Sequence, residues 1–384
     1  MKRWCGALFL SFAAIAVPFS GRADTLKLGV VTALTGPGAA WGIPIEAGPQ
    51  IAAKEINDKG GLKVGGKTYT IQITAYDDKY KAADGVTAAT RLIEQDHIKY
   101  IFGPLGSAPM MAMKPLLEQN DVITLSNSYT DKLIDKDTKH IWRVLPTTRE
   151  YIDPMVKWVK DNRPNLKTVA IISPNDETGW ASQTLQKTFY GKYGFKIVSA
   201  ELFERTLKDF QPLLTRVLAT KPDFIELDTT PPPTAGLIIR QARELGFKGQ
   251  FDKIGGPGVP EIVAAAGKEF AEGAIVYVGA DASSPKYKYL EKEYEKLHPP
   301  PMNSFTVFFY DAAHLLFDAL QKAGTVNDVA KVRAALQGIT PYQGMQGTLR
   351  WTGKDYYGSD HQILAPVFVG QITNGTEKVL AKLE

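Results

Sequence analysis

The sequence predicts an α/β fold in two similar lobes, each a parallel sheet with helices on both faces. Three observations point there. From Leu26 onward, short β-rich runs alternate with amphipathic stretches, the rhythm of a doubly wound sheet. That rhythm pauses at Ile141-Trp142-Arg143-Val144-Leu145-Pro146 and then starts again, so two βα blocks stand side by side. The chain has 384 residues, 361 of them after residue 23, more than one hydrophobic core usually organises.

The first 23 residues read as a leader. Lys2 and Arg3 precede an apolar run from Trp4 to Val17, and Gly21-Arg22-Ala23 supplies small residues, the tripartite order of a cleavable secretory signal with cleavage before Asp24. The uncharged stretch is about 14 residues against the roughly 20 that span hydrocarbon, which disfavours a membrane anchor. The only cysteine, Cys5, lies inside this leader, so the mature chain can form no disulfide and no cysteine-ligated metal site. The leader also carries three basic residues and no acid. Without it, 42 basic residues face 41 acidic ones and the net charge falls from +4 to +1. Such a balance gives no electrostatic footprint for nucleic acid or anionic lipid.

In the first block the strands are 26–34, 69–76, 100–102 and 122–125. The helices between them are 45–57, 82–95 and 109–119, where Ala and Leu recur at spacings of three and four. The second block has strands at 168–172, 196–202, 224–227 and 250–254, and helices near 151–160, 180–190, 210–219 and 234–245. A strand at 274–279, helices at 286–297, 304–323 and 326–336, and β-like segments at 347–351 and 362–372 close the chain. Pro231-Pro232-Pro233 and Pro299-Pro300-Pro301 are stiff turns at element ends, too short to tether domains flexibly.

Between the first strand and first helix lies Gly36-Pro37-Gly38-Ala39-Ala40-Trp41-Gly42. A glycine-rich turn there can cradle a phosphate. The dinucleotide fingerprint is poorly met, because Pro37 and Trp41 fill its turn and approach positions and no acid ends a strand about 20 residues later. The same loop suits a wall for a small ligand, with Trp41 offering an aromatic face; plain packing of Trp41 is the other reading. The five histidines are scattered singly, with no pair at metal-ligand spacing. No Gly-x-Ser-x-Gly elbow surrounds any serine. Asp77 and Asp78 would point to opposite faces of a strand, and Asp78 can equally initiate the next helix. These features disfavour an enzyme and leave no catalytic, metal or cofactor set. What remains are small polar residues at strand ends: Ser107, and Ser126-Asn127-Ser128. Ligands gather at such ends in open α/β sheets, although each of these side chains could simply cap a helix.

Quoted in order, LKLGVVTALTGPGAAWG (26–42), AAKEINDKGG (52–61), YDDKY (76–80), FGPLGS (102–107), VITLSNS (122–128), RVLPT (143–147) and DETGWA (176–181) resemble the periplasmic solute-binding proteins of ATP-binding cassette importers, of the branched-chain amino acid type. The resemblance implies a type I periplasmic binding protein fold: two Rossmann-like lobes with parallel sheets, joined by three crossover strands near 143–147, 274–281 and 350–362. It implies lobes at 24–144 plus 281–350 and 145–280 plus 351–384, after a signal peptide at 1–23. It further implies a monomeric, non-enzymatic periplasmic protein without cofactor, whose partners are a small solute and a membrane permease. Ser107, Ser126 and Ser128 match positions that hold a ligand carboxylate. Thr178 and Trp180 match the second lobe's contact loop, and the segment Asp228 to Pro231 matches the next one. One departure bears on the ligand. Where amino-acid binders carry a glutamate for the ligand ammonium, this chain reads Ile254-Gly255-Gly256-Pro257-Gly258. Either Asp228 substitutes or the ligand has no amino group, and the second option suits an aromatic or apolar carboxylate held between Trp41 and Trp180. An exported α/β enzyme and the ligand-sensing domain of a receptor are the alternatives from other classes.

Overall fold

The computed structural model describes Met1 and residues 23–383; the expected export signal falls on residues 2–22, outside them. The chain first lays down β1 (Asp24–Thr32), α1 (Ala39–Asp58), a hairpin of β2 (Leu62–Val64) and β3 (Lys67–Asp77), and α2 (Ala82–Glu94). β4 (Tyr100–Leu105), α3 (Ser107–Gln119), β5 (Ile123–Asn127) and β6 (Ile141–Arg143) follow. It then crosses to a second sheet with α4 (Thr148–Asn162), β7 (Thr168–Pro174), α5 (Glu177–Lys192), β8 (Lys196–Phe203), α6 (Gln211–Ala219) and β9 (Phe224–Glu226). That sheet continues with α7 (Pro232–Glu244), β10 (Gln250–Lys253), α8 (Val259–Ala266), α9 (Lys268–Ala271) and β11 (Ile275–Val278). A second crossing returns it to the first lobe for α10 (Pro285–Tyr294), α11 (Ser304–Ala323), α12 (Val329–Gln337), β12 (Tyr342–Gly344), β13 (Gly347–Thr352), α13 (Lys354–Tyr357) and β14 (Gln362–Leu364). A third delivers β15 (Val367–Thr373) and β16 (Thr376–Leu383) to the second sheet.

The sheet orders are β12-β13-β14-β6-β5-β4-β1-β3-β2 and β16-β15-β11-β10-β9-β7-β8. Their parallel cores, β3-β1-β4-β5-β6 and β8-β7-β9-β10-β11, are wound identically. Each therefore reverses direction once, between β1 and β4 and between β7 and β9. Crevices at the carboxyl ends of strands beside such reversals are where doubly wound sheets take ligands. Alternation fixes the faces: in β1, Val30 packs with Phe102 and Phe305, whereas Val31 joins Leu92, Ile101 and Met110 on the other side.

The structure moves one expected boundary. The segment expected as one β-like run over 362–372 is two strands, broken at Ala365-Pro366, where proline cannot donate to a ladder. β14 pairs with β13 and β6 in the first sheet, and only β15 pairs with β11 in the second. The third crossing is thus at 365–366, not 350–362, and residues 351–364 stand with the first sheet. α1 also begins earlier than expected, at Ala39, so the glycine-rich loop is a single 3-10 turn over Gly36–Gly38 followed directly by helix.

The helix that follows the first parallel strand of each sheet, α1 after β1 and α5 after β7, lies unusually close to that strand. A Cβ on Gly42 would stand 1.9 Å from the Ala33 carbonyl oxygen, and one on Gly179 1.9 Å from that of Pro174. Ordinarily a helical Gly→Ala change stabilises by up to about 1 kcal/mol. Here the sign reverses, because backbone cannot rotate away as a side chain can. Gly42→Ala and Gly179→Ala should each cost about 2 kcal/mol or more, read as a lower denaturant midpoint. Gly191→Ala, with nothing within 4 Å of the added carbon, should leave the midpoint unchanged or raise it.

Candidate functional site

Both reversal points open onto the space between the lobes. From β1 the chain turns into α1 and presents Trp41 in its first turn. From β4 it turns through Gly106, at φ +93°, into α3. From β7 it reaches Asp176, whose carboxylate accepts the amides of Thr178 and Gly179 at 3.1 and 3.0 Å and starts α5. From β9 it enters Asp228 and Thr229. These ends enclose a cavity with four aromatic walls, Trp41, Tyr80, Tyr129 and Phe305. Asn127 from the first lobe and Thr178 and Thr229 from the second are its polar lining, and Gly106 and Gly256 its backbone. It is tight, with about 20 Å³ open to the centres of water-sized spheres, room for little more than one water. A solute larger than a water must therefore enter with the lobes parted and keep them further apart than they stand here. Four roomier hollows, of about 470, 450, 430 and 260 Å³, have none of these aromatic residues in their walls.

Direct contacts span the cleft. The Trp41 indole Nε1 donates to the Pro257 carbonyl at 2.8 Å. The Thr178 hydroxyl donates to Ser107 Oγ at 3.0 Å and accepts the Ser107 amide at 3.1 Å. Tyr80 meets Thr178 Oγ1 at 3.1 Å and accepts from Arg205 Nη2 at 3.1 Å, with the guanidinium 4.3 Å above its ring. Arg205 is paired with Asp176 in turn. Asp77 and Asp78 hold the turn that presents Tyr80: Asp77 accepts the amides of Leu34 and Lys79, and Asp78 that of Tyr80 at 2.8 Å. Burial pushes the Asp78 carboxyl up to about 7. Asp78 therefore does not initiate α2, whose N-cap is Lys81.

Trp41, Asn127 and Thr178 are brought together in the cavity wall, with Pro257 behind Trp41. Ser107 is buried just outside it. Its hydroxyl accepts the amides of Tyr129 and Thr130 at 3.2 and 3.1 Å, so three backbone N–H groups, those of Ser107, Tyr129 and Thr130, converge on hydroxyl oxygens. Ser126 and Ser128 are fully buried, make no hydrogen bond through their hydroxyls and do not line the cavity. Trp180 is 48% exposed and donates to Asn175 Oδ1 at 2.8 Å. It stands on the outer side of α5, so the structure does not pair Trp41 with Trp180 around a ligand. Asp228 is fully buried and already saturated: Tyr151 and the Thr229 amide donate to Oδ1, each at 2.8 Å, and Thr148 at 2.9 Å and Ser182 to Oδ2. A carboxylate so engaged has no lone pair free for an ammonium.

The same geometry explains the absent acid. A Cβ on Gly255 would lie 2.0 Å from both Asp228 Oδ1 and the Tyr151 hydroxyl, and one on Gly256 2.8 Å from the Trp41 ring. Tyr151 and Trp41 occupy the room a side chain would need. Glu226, which accepts the Ile254 amide at 3.3 Å, is buried and held well above the usual carboxylate range by that burial and by Asp252 and Asp228. A buried cation beside the cavity wall is Lys253, which donates to the carbonyls of Gly255 and Gly256, with Nζ 5.3 Å from the Trp41 ring centre. Burial brings its ammonium down to about 8, against the pull of Asp228 and Glu226.

Sequence reasoning missed Tyr80, Tyr129, Phe305 and Arg205; Thr229 falls inside the segment Asp228 to Pro231 that the resemblance singled out. Tyr80 and Tyr129 sit inside or beside motifs already singled out. Phe305 begins an apolar helix that reads as core, and Arg205 lies in a polar loop without any local signal.

A family model described as periplasmic binding protein matches residues 25–377. The chain is 27% identical over 346 residues to the leucine-, isoleucine-, valine-, threonine- and alanine-binding protein of Pseudomonas aeruginosa, covering 88% of this chain and 90% of that one. Among solved structures it superposes on the leucine-binding protein LivK of Thermotoga maritima with a TM-score of 0.80 at 23% identity, over 94% of this chain and 99% of that one. It superposes on a solute-binding protein of R. palustris in complex with benzoate with a TM-score of 0.78 at 19% identity, over 94% and 96%. The two solved structures share the overall fold of this chain. The chain belongs to the periplasmic binding protein family, as a non-enzymatic solute-binding protein of the branched-chain amino acid type.

Proposed function

We propose that this solute-binding protein of an ATP-binding cassette importer captures an aromatic monocarboxylate of about benzoate size. One observation carries the reading: among the described residues, four aromatic rings and no carboxylate line the cavity between the lobes. An amino acid would bring its ammonium into that space unpaired, at a cost of several kcal/mol. The cation Lys253 lies behind the Gly256 wall instead, which favours an anion.

In this reading the carboxylate displaces the Ser107 and Thr178 hydroxyls from the amides of Ser107, Tyr129 and Thr130, and Trp41 covers the ring. Ligand contacts from both lobes coexist only when the lobes are together, so binding shifts the population towards closure. The permease then reads the closed surface. The lobes would comprise 24–144 plus 281–365 and 145–280 plus 366–384, in a monomer exported to the periplasm behind its signal peptide.

The second reading, an aliphatic amino acid, has its own support, since the curated relatives are named as Leu/Ile/Val-binding proteins. Thermal unfolding of the mature protein, refolded to strip bound solute, separates the two. At 100 times its dissociation constant a ligand adds about 2.7 kcal/mol of stability. Benzoates should shift the transition and leucine should not; a shift with leucine alone overturns the proposal. Titration over pH adds a check on Lys253. A bound anion favours the ammonium, so benzoate affinity should hold below pH 8 and fall as pH rises through it.

A further inference from the structure

Two side chains in the cavity wall are buried, polar and unsatisfied, and they come from opposite lobes. Asn127, at the end of β5, is 2% exposed, and neither Oδ1 nor Nδ2 makes a hydrogen bond. Thr229, in the loop after β9, is also 2% exposed with Oγ1 unpartnered. Buried polar atoms in folded proteins nearly always find partners, and a side-chain amide shut away from water with none is among the more costly arrangements. Thr229 carries a second cost. Its φ is +60°, a left-handed conformation that a β-branched residue rarely adopts. It is held there by its amide on Asp228 Oδ1 at 2.8 Å and by Arg205 Nη1 on its carbonyl at 3.4 Å. Strain so tightly enforced gathers at ligand clamps.

The chemistry of these atoms says what a partner must carry. Whichever way the Asn127 amide is turned, it presents one acceptor and two donors. A carboxylate only accepts, so it could meet Nδ2 and the Thr229 hydroxyl and would leave Oδ1 unmet. A hydroxyl supplies the donor that Asn127 Oδ1 needs and keeps a lone pair for Asn127 Nδ2 or for the Thr229 hydroxyl. Resting on the aromatic-acid reading above, we infer that the solute is a hydroxy-substituted aromatic carboxylate, with Asn127 and Thr229 as the residues that select its ring hydroxyl. A site built to bond a hydroxyl rejects the analogue without one, because its own buried groups are then left unpaired.

Isothermal titration of the mature protein with benzoate, 3-hydroxybenzoate and 4-hydroxybenzoate tests this at pH 7. At least one hydroxybenzoate should bind ten or more times tighter than benzoate. Asn127→Leu should erase that ratio, chiefly by weakening the hydroxybenzoate, while benzoate still binds; Thr229→Val should reduce it. Equal affinity for all three acids in the wild type overturns the inference while leaving the aromatic-acid reading intact, and requires no variant to fold. A hydroxyl preference that survives Asn127→Leu overturns it as well. Binding of leucine with none of the three acids overturns the aromatic-acid reading itself, and this inference with it.

Discussion

Trp41→Ala should raise the dissociation constant for a benzoate-type ligand at least a hundredfold, about 2.7 kcal/mol of binding free energy. Two contributions converge. The indole is one of the cavity's aromatic walls, and removing it strips the ligand ring of an apolar face. Its Nε1–H also bridges to Pro257 across the cleft at 2.8 Å, so the closed arrangement loses a bond that the open one never has. Trp41→Phe separates the two, keeping a ring while deleting the bridge; a loss of about tenfold is expected there, near the value of one hydrogen bond. Titration calorimetry reads both, and denaturant unfolding of each variant shows whether packing against Phe305, 5.9 Å away between ring centres, is also lost. If both variants lose stability but neither loses affinity, Trp41 is packing alone.

The second large effect is on stability. Asp228→Ala should destabilise the protein by about 3 to 5 kcal/mol, measured by urea or guanidinium unfolding. The carboxylate gathers Thr148 and Tyr151 from the start of α4, Ser182 from α5 and the Thr229 amide, all out of reach of water. Alanine would take the acceptor from all four donors at once, and of these only one of the Thr148 and Tyr151 hydroxyls, 3.0 Å apart, could turn to the other. Asp228→Asn keeps the shape and lets the hydroxyls turn to accept from the amide, so about 1 to 2 kcal/mol should be lost. If Asp228 instead received a ligand ammonium, Asp228→Asn would cost leucine affinity more than stability.

The order of strands and helices was legible because it rests on periodicity, and periodicity survives in a single sequence. The helix over 304–323 was read to the residue, since its apolar spacing and its Asn303 cap agree. β2, β12 and β16 were not seen: the first two are three residues long, and β16 is a largely exposed edge strand with no apolar alternation. The site was half legible. Trp41, Asn127 and Thr178 stand at the ends of recognisable strands or the starts of helices, where topology alone brings them together. Trp180 illustrates the limit. It lies two residues after Thr178, but a helix turns about 100° per residue, and which face meets the cleft depends on how closely α5 lies on β7. Gly179 sets that approach, through a contact invisible without coordinates. Asp228 illustrates another: the sequence shows an acid in the right loop, but not that Thr148, Tyr151 and Ser182, up to 80 positions away, have already claimed its oxygens.

The chain passes between the lobes three times, and three is odd. Asp24 begins in the first sheet and Leu383 ends in the second, so these two ends of the described fold ride on opposite jaws. Fluorophores fused to those ends would change separation as the jaws move, with no interior residue touched. An even number of passes would have put both labels on one rigid body and left such a pair silent.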